Sequence, residues 1–187
     1  MTLVELVEAS HSPAAAERLC GYAFNDRARD ALAQAGRTVL TEYLPTSGAC
    51  ALMSAIYAEA VMALIDDPIH VVAGTLDADG VRVFGRTAIA TGPTPFLKSD
   101  IDWDGHMWVM AGDRVADVSL LRTAKDSKSP PALRRLATRE FGPRAGLVVW
   151  PIAEALDAGL RYVPRYVLTS AEIAGLAAGG RATLRRA

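Results

Sequence analysis

The sequence predicts an α+β fold in which one buried helix packs on a mainly antiparallel sheet, with further helices at both ends. Three observations point there. Residues Ala49 to Ile65 form an apolar run broken only by Ser54, Tyr57 and Glu59. Two stretches rich in β-branched and aromatic residues follow, each folded about a Gly-containing turn. Ala-rich and Arg-rich segments of helical character flank this centre.

In chain order, Pro13 to Leu19 and Asp26 to Ala35 read as helices, with Leu19, Ala23 and Leu32 available for a core side and Gly36 as a C-terminal stop. The stretch Tyr43 to Gly48 is turn chemistry, and Thr46 or Ser47 is placed to cap the apolar helix that runs from about Gly48 to Leu64. Asp66-Asp67-Pro68 ends that helix, because proline disfavours helical backbone in the residue before it. From Ile69 the pattern turns to strands. A first hairpin folds about Asp77-Ala78-Asp79-Gly80, and a second joins His106–Met110 to Arg114–Leu120 through Ala111-Gly112-Asp113. The segment between them, residues 91–105, has no clear periodicity and reads as a functional loop, in which Phe96 and Trp103 could form a lid. Helices are expected over Pro131 to Phe141 and Ile152 to Ala158. Leu160 to Leu168 reads as an edge strand because of Pro164, and Ser170, as N-cap, opens a terminal helix with Glu172 in its first turn.

Bulk properties narrow the function classes. A chain of 187 residues is expected to form one domain spanning residues 1–187. Apolar residues make up 51%, charged residues 22%, and the net charge is −1, which argues against disorder and against nucleic acid as the partner. The basic clusters Arg134/Arg135 and Arg181, Arg185, Arg186 read as solvated ends. Two cysteines, Cys20 and Cys50, make no disulfide framework, so a reducing compartment is expected. The first twenty residues carry Glu5 and Glu8 and no basic-then-apolar pattern, so no signal peptide is read and the cytoplasm is the expected location. The run from Ala49 to Ile65 is too short to span a bilayer and carries Glu59, so no membrane association is expected.

The residues that could carry chemistry are Cys50, His106 and Asp117. Cys50 falls in the first turn of the apolar helix, where unpaired N–H groups and the helix dipole stabilise a thiolate and can hold an oxyanion. The bland alternative is a packed, inert thiol. Register adds weight. If Gly112-Asp113 is a two-residue turn, Ala111 pairs with Arg114, Met110 with Val115 and Val109 with Ala116. His106, Trp108, Met110, Val115, Asp117 and Ser119 then share one face, and Asp117 lies diagonal to His106. A three-residue loop would put Asp117 on the opposite face. Trp103, Trp108, Ser47 and Tyr43 are candidates for contacts to substrate, with the Cys50 N–H as one oxyanion donor.

The order Cys50, then His106-Met107-Trp108-Val109, then Asp117-Val118-Ser119 resembles the core of the transglutaminase-like superfamily. It is similar to the leader peptidases that mature lasso peptides and, more distantly, to papain-like proteases and arylamine N-acetyltransferases. The resemblance covers about residues 44 to 120; many members carry a large residue just after the cysteine, where this chain has Ala51. It implies thiol chemistry, without a cofactor, on a peptide or on a small amide or ester. Proteolysis, deamidation and acyl transfer all stay open.

Two other readings fit parts of the pattern. A catalytic metal site could use Cys50, His106 and one of Asp100, Asp102, Asp104 or Asp117, although close ligand pairs are missing from the sequence. The run Asp100-x-Asp102-x-Asp104 begins like a calcium loop but has Ala111 where such a loop ends in Glu. A non-catalytic binding protein on the same fold is the other reading. A G-x-S-x-G elbow and a Gly-rich phosphate loop are both missing, which disfavours serine-hydrolase and nucleotide functions.

Overall fold

The structure, a computed structural model, describes residues 1–46, 48–89, 94–97 and 103–185. Helix α1 (Leu3–Ser10), which the sequence reading did not foresee, opens on a capping box between Thr2 and Glu5. In α2 (Pro13–Cys20) the Ser12 hydroxyl accepts the Ala15 amide at 3.2 Å. Helix α3 (Asp26–Glu42) runs past the expected stop. Gly36 serves packing there, since an added Cβ would lie 2.7 Å from a Leu147 methyl carbon.

The apolar run forms α4 (Cys50–Met62). Its N-cap is Ala49, and among the described residues no side chain caps it. Thr46 contributes only its carbonyl, which accepts the Ala49 amide at 3.3 Å, and Ser47 lies outside the described residues. Tyr57, fully buried, donates its hydroxyl to the Leu32 carbonyl at 3.0 Å and ties α4 to α3.

Then come β1 (Ile69–Ala78), β2 (Val81–Phe84), a short 3-10 turn (Pro95–Leu97), β3 (His106–Ala111) and β4 (Arg114–Asp117). Helices α5 (Leu120–Lys125) and α6 (Pro131–Glu140), strand β5 (Val148–Pro151), α7 (Ile152–Asp157), β6 (Leu160–Val167) and α8 (Ser170–Leu184) complete the chain. The short elements α5 and β5 were not predicted. Thr169, rather than Ser170, caps α8, in a capping box with Glu172.

The architecture is α+β, with eight helices among the described residues and a curled antiparallel sheet in the form of a half-barrel. Strand β1 is its buried centre. Its first part pairs with β3 and its last part with β2, while β6 pairs with Val72–Ala78, overlapping both, and so takes the opposite edge. The sheet continues β3-β4-β5. Among the described residues β6 pairs with β1 alone, and the ladder slips where Pro164 stands opposite Gly74.

Two cores cover the two sheet faces. Helices α3, α4 and α8 pack on the face carrying Val71, Ala73, Met107, Val109 and Ala116. Helices α1, α5 and α6 pack on the face carrying Val72, Leu76, Trp108, Met110 and Val115. Among the described residues no helix is long and apolar enough to cross a membrane.

Candidate active site

Strand β3 turns back into β4 through Gly112-Asp113, and the pairs are Ala111 with Arg114, Met110 with Val115 and Val109 with Ala116. This is the parity of a two-residue turn. The left-handed backbone it needs falls on Gly112, at φ 62°. Side chains from the two far ends of the hairpin therefore meet. His106 Nε2 lies 2.6 Å from Asp117 Oδ2, and both residues are shut from solvent.

Asp117 is held by more than the histidine. Its Oδ1 accepts from the Ser119 amide at 2.9 Å, the Ser119 hydroxyl at 3.0 Å and the Leu120 amide at 2.8 Å. The Tyr162 hydroxyl donates to Oδ2 at 3.1 Å. Burial alone would push this carboxyl up; the His106 charge and these donors outweigh it and hold the group below the ordinary carboxylate range. For His106 burial acts to lower the pKa, but the Asp117 carboxylate, with a smaller contribution from the Cys50 side chain, pushes it up to about 10. The ring stacks with Phe84 at 5.4 Å between centroids and with Trp108 at 6.2 Å.

Helix α4 packs on the opposite face of the sheet from the one His106 shares with Trp108. The two meet because His106 is the first residue of β3 and Cys50 the first of α4. The Cys50 thiol is partly buried, donates toward the Gly105 carbonyl at 3.9 Å and is a hydrogen-bonding neighbour of the imidazole. With Nε2 engaged by Asp117, Nδ1 is the nitrogen left for Cys50. One turn into α4, the Ser54 hydroxyl donates to the Met107 carbonyl at 2.9 Å and fixes the helix against β3.

Cys50 and His106 line a cleft of about 450 Å³. Phe84, Phe96, Trp103 and Leu176 supply its apolar wall, and Lys128 and Ser129 stand on the polar side. The Trp103 indole lies directly on Gly105, where an added Cβ would come within 1.9 Å of it. Phe96 packs edge-on against Trp103 at 5.3 Å, and its amide donates to the buried Glu172 at 3.0 Å. Glu172 also accepts from Tyr166 and Thr169, so α8 anchors this wall.

Cys50, His106 and Asp117 are thus brought together, and Trp103 lines the cleft beside them. Trp108 does not line it; it is fully buried beneath the imidazole. Tyr43 sits in the core at the end of α3, bridged to Arg185, away from the cleft. Ser47, Asp100 and Asp102 lie outside the described residues. Asp104 is taken up by the Thr87 hydroxyl and the amides of Arg86 and Thr87. Among the described residues no group of three or more His, Cys, Asp or Glu is arranged to hold a metal ion.

The sequence reading missed Tyr162 and Phe84 as partners of Asp117 and His106. Tyr162 arrives through the pairing of Leu76 with Tyr162 between β1 and β6, and no local motif announces it. Comparison with protein-family models, with curated proteins and with solved structures returns no match.

Proposed function

We propose that this chain is a cysteine-dependent hydrolase or acyltransferase acting on an amide or ester bond of a peptide or small molecule. The observation that carries the reading is the chain of contacts from a thiol in the first turn of a helix, through an imidazole, to a buried carboxylate that four further donors hold in place. Cys50 is the nucleophile, His106 the general base and then acid, and Asp117 the residue that fixes the ring's tautomer and offsets its charge.

In this mechanism His106 takes the Cys50 proton, the sulfur forms a bond to the carbonyl carbon, and the N–H groups at the start of α4 receive the oxyanion. The bond to the leaving amine or alcohol then breaks, and His106 gives that group its proton. Water or an amine, deprotonated by the same ring, attacks the thioester and returns the thiol. The motif resemblance to transglutaminase-like enzymes points the same way, and the helix on an antiparallel sheet is read as that core. Both thiols being free, the activity fits a reducing, cytoplasmic setting.

The test compares Cys50 with Cys20, an exposed free thiol in the same molecule. At about pH 6, where an ordinary thiol is protonated, iodoacetamide is expected to alkylate Cys50 at least about tenfold faster than Cys20. His106→Ala should remove the difference. Equal rates at both thiols would leave a binding protein on this fold as the better account.

A further inference from the structure

A second cavity, of about 520 Å³, adjoins the reactive cleft on the other side of Trp103. Its lining includes Thr75, Arg82, Arg86, Arg165 and Tyr166, and no acidic side chain among the described residues. Arg82 is engaged by Asp77 and by the Gly85 carbonyl. Arg86 and Arg165 have no ion-pair partner among the described residues. Asp104 gives its oxygens to Thr87 and to the Arg86 main chain and belongs to the cleft's lining instead.

At the floor of this cavity stands a second, independent anomaly. Thr75 is only 6% exposed, and its hydroxyl has no hydrogen-bond partner among the described residues. A buried hydroxyl left unpaired is costly, and a native structure keeps few of them. The Arg86 and Arg165 guanidinium groups and a buried hydroxyl, none with a side-chain partner among the described residues, make a receptor for carboxylate oxygens. The cavity and the cleft share Trp103 as a wall, so the two adjoin.

We propose that the cavity between Thr75, Arg86 and Arg165 is a subsite for an acidic segment of a peptide substrate, which makes this protein selective for carboxylate-bearing chains. The proposal rests on the thiol reading for the word substrate, but the binding it asserts does not need catalysis.

The experiment uses the full chain carrying Cys50→Ala and two acetylated hexapeptide amides that differ only in having two Glu or two Gln at one end, with each end tried. Calorimetry is expected to show the Glu peptide binding about tenfold more tightly, a difference that shrinks in high salt. The double change Arg86→Gln with Arg165→Gln should bring the two peptides within about twofold of each other. Thr75→Val should weaken the Glu peptide several-fold while the melting temperature holds or rises, because the change removes a hydroxyl the folded protein leaves unpaired. A purely structural Thr75 would move stability and not selectivity.

Equal affinity for the two peptides, or a preference that survives loss of both arginines, overturns the subsite. So does a preference that emerges only after Asp100→Asn with Asp102→Asn, since the chain's own acids would then be the occupant. If the Glu peptide binds through the arginines while Cys50 alkylates no faster than Cys20, the subsite stands and the thiol chemistry falls. A reactive Cys50 with no Glu preference removes the subsite and leaves the thiol chemistry standing.

Discussion

Replacing Asp117 by Asn probes the proposed mechanism at one atom, because the two carboxylate oxygens have different partners. Three donors converge on Oδ1, from Ser119 twice and from Leu120. An asparagine has a single acceptor oxygen, and those donors hold it on their side, so its NH2 takes the place of Oδ2. A donor then faces His106 Nε2, which must become the acceptor, so the ring gives up its Nε2 proton and keeps the one on Nδ1, the nitrogen left for Cys50. The imidazole can no longer accept the thiol proton. In a triad with the same fault turnover falls by about 10⁴-fold, and a loss of that order is expected here on any substrate found.

The same change has a stability signature. Breaking a buried ion pair by neutralising one partner costs about 3–5 kcal/mol. For a chain of this length that lowers the melting temperature by on the order of 10 °C. The histidine's pKa is raised from 6.5 to about 10 in the folded protein. The pair's contribution is therefore complete below the unfolded value of 6.5 and is lost as pH rises through about 10. Asp117→Asn should flatten that alkaline decline. Melting curves across neutral to alkaline pH, with iodoacetamide alkylation of Cys50 on the same samples, read both effects. An Asn variant that melts within a degree or two of the parent, or whose Cys50 reacts at the parent's rate near neutrality, refutes the tautomer argument.

Tyr162→Phe removes a buried hydroxyl that donates to Asp117 Oδ2 at 3.1 Å but leaves the His106 contact in place. A hydrogen bond to a charged group contributes about 1.5–3 kcal/mol, so melting should drop by about 5 °C while Cys50 alkylation stays within about twofold. Collapse of thiol reactivity in this variant would give Tyr162 a larger part than positioning the carboxylate. His70 stands in β1 with both ring nitrogens unpaired among the described residues, its ring 5.4 Å from that of His11. Burial, followed by the nearby His11 and Arg18, lowers its pKa from 6.5 to about 4. The folded protein holds it neutral, so its contribution is complete above 6.5 and is lost as pH falls toward 4, by roughly 3 kcal/mol in all. His70→Leu should therefore flatten the acid limb of the melting profile, and an unchanged limb would assign it to other groups.

How far the sequence could be read follows from which interactions are local. The hairpin of β3 and β4 was legible because a two-residue turn at Gly112-Asp113 fixes the parity of every pair behind it, Asp117 included. The strand at β1, read as far as Leu76, and the helix at α4 announced themselves by apolar stretches with few polar breaks. Helix α1 was legible too, in the Thr2-x-x-Glu5 capping box, and went unread. Gly36 misled because a glycine inside α3 and a glycine ending it look alike until Leu147 is seen against it. Tyr162, Phe84 and the Glu172 anchor of Phe96 depend on contacts between residues far apart in the chain, where no spacing rule applies.

The side of the sheet on which α4 lies was not legible, and it bears on the chemistry. All six residues of β3 are buried, so the strand shows no alternation from which a helix-bearing face could be read. The helix packs against Met107 and Val109, whereas His106 belongs with Trp108 and the other core. A histidine two residues further along, at the place of Trp108, would lie sealed beneath the sheet with no route to the thiol. Only at the strand's first residue, beyond which Gly105 gives the chain no side chain, can the ring reach around the edge to a cysteine that is itself the first residue of its helix. The two termini must then stay level with each other, and the Ser54 hydroxyl on the Met107 carbonyl sets that level one turn behind the thiol. The reactivity proposed for Cys50 is thus tied to the sliding of α4 along β3, a degree of freedom that the sequence motif does not encode.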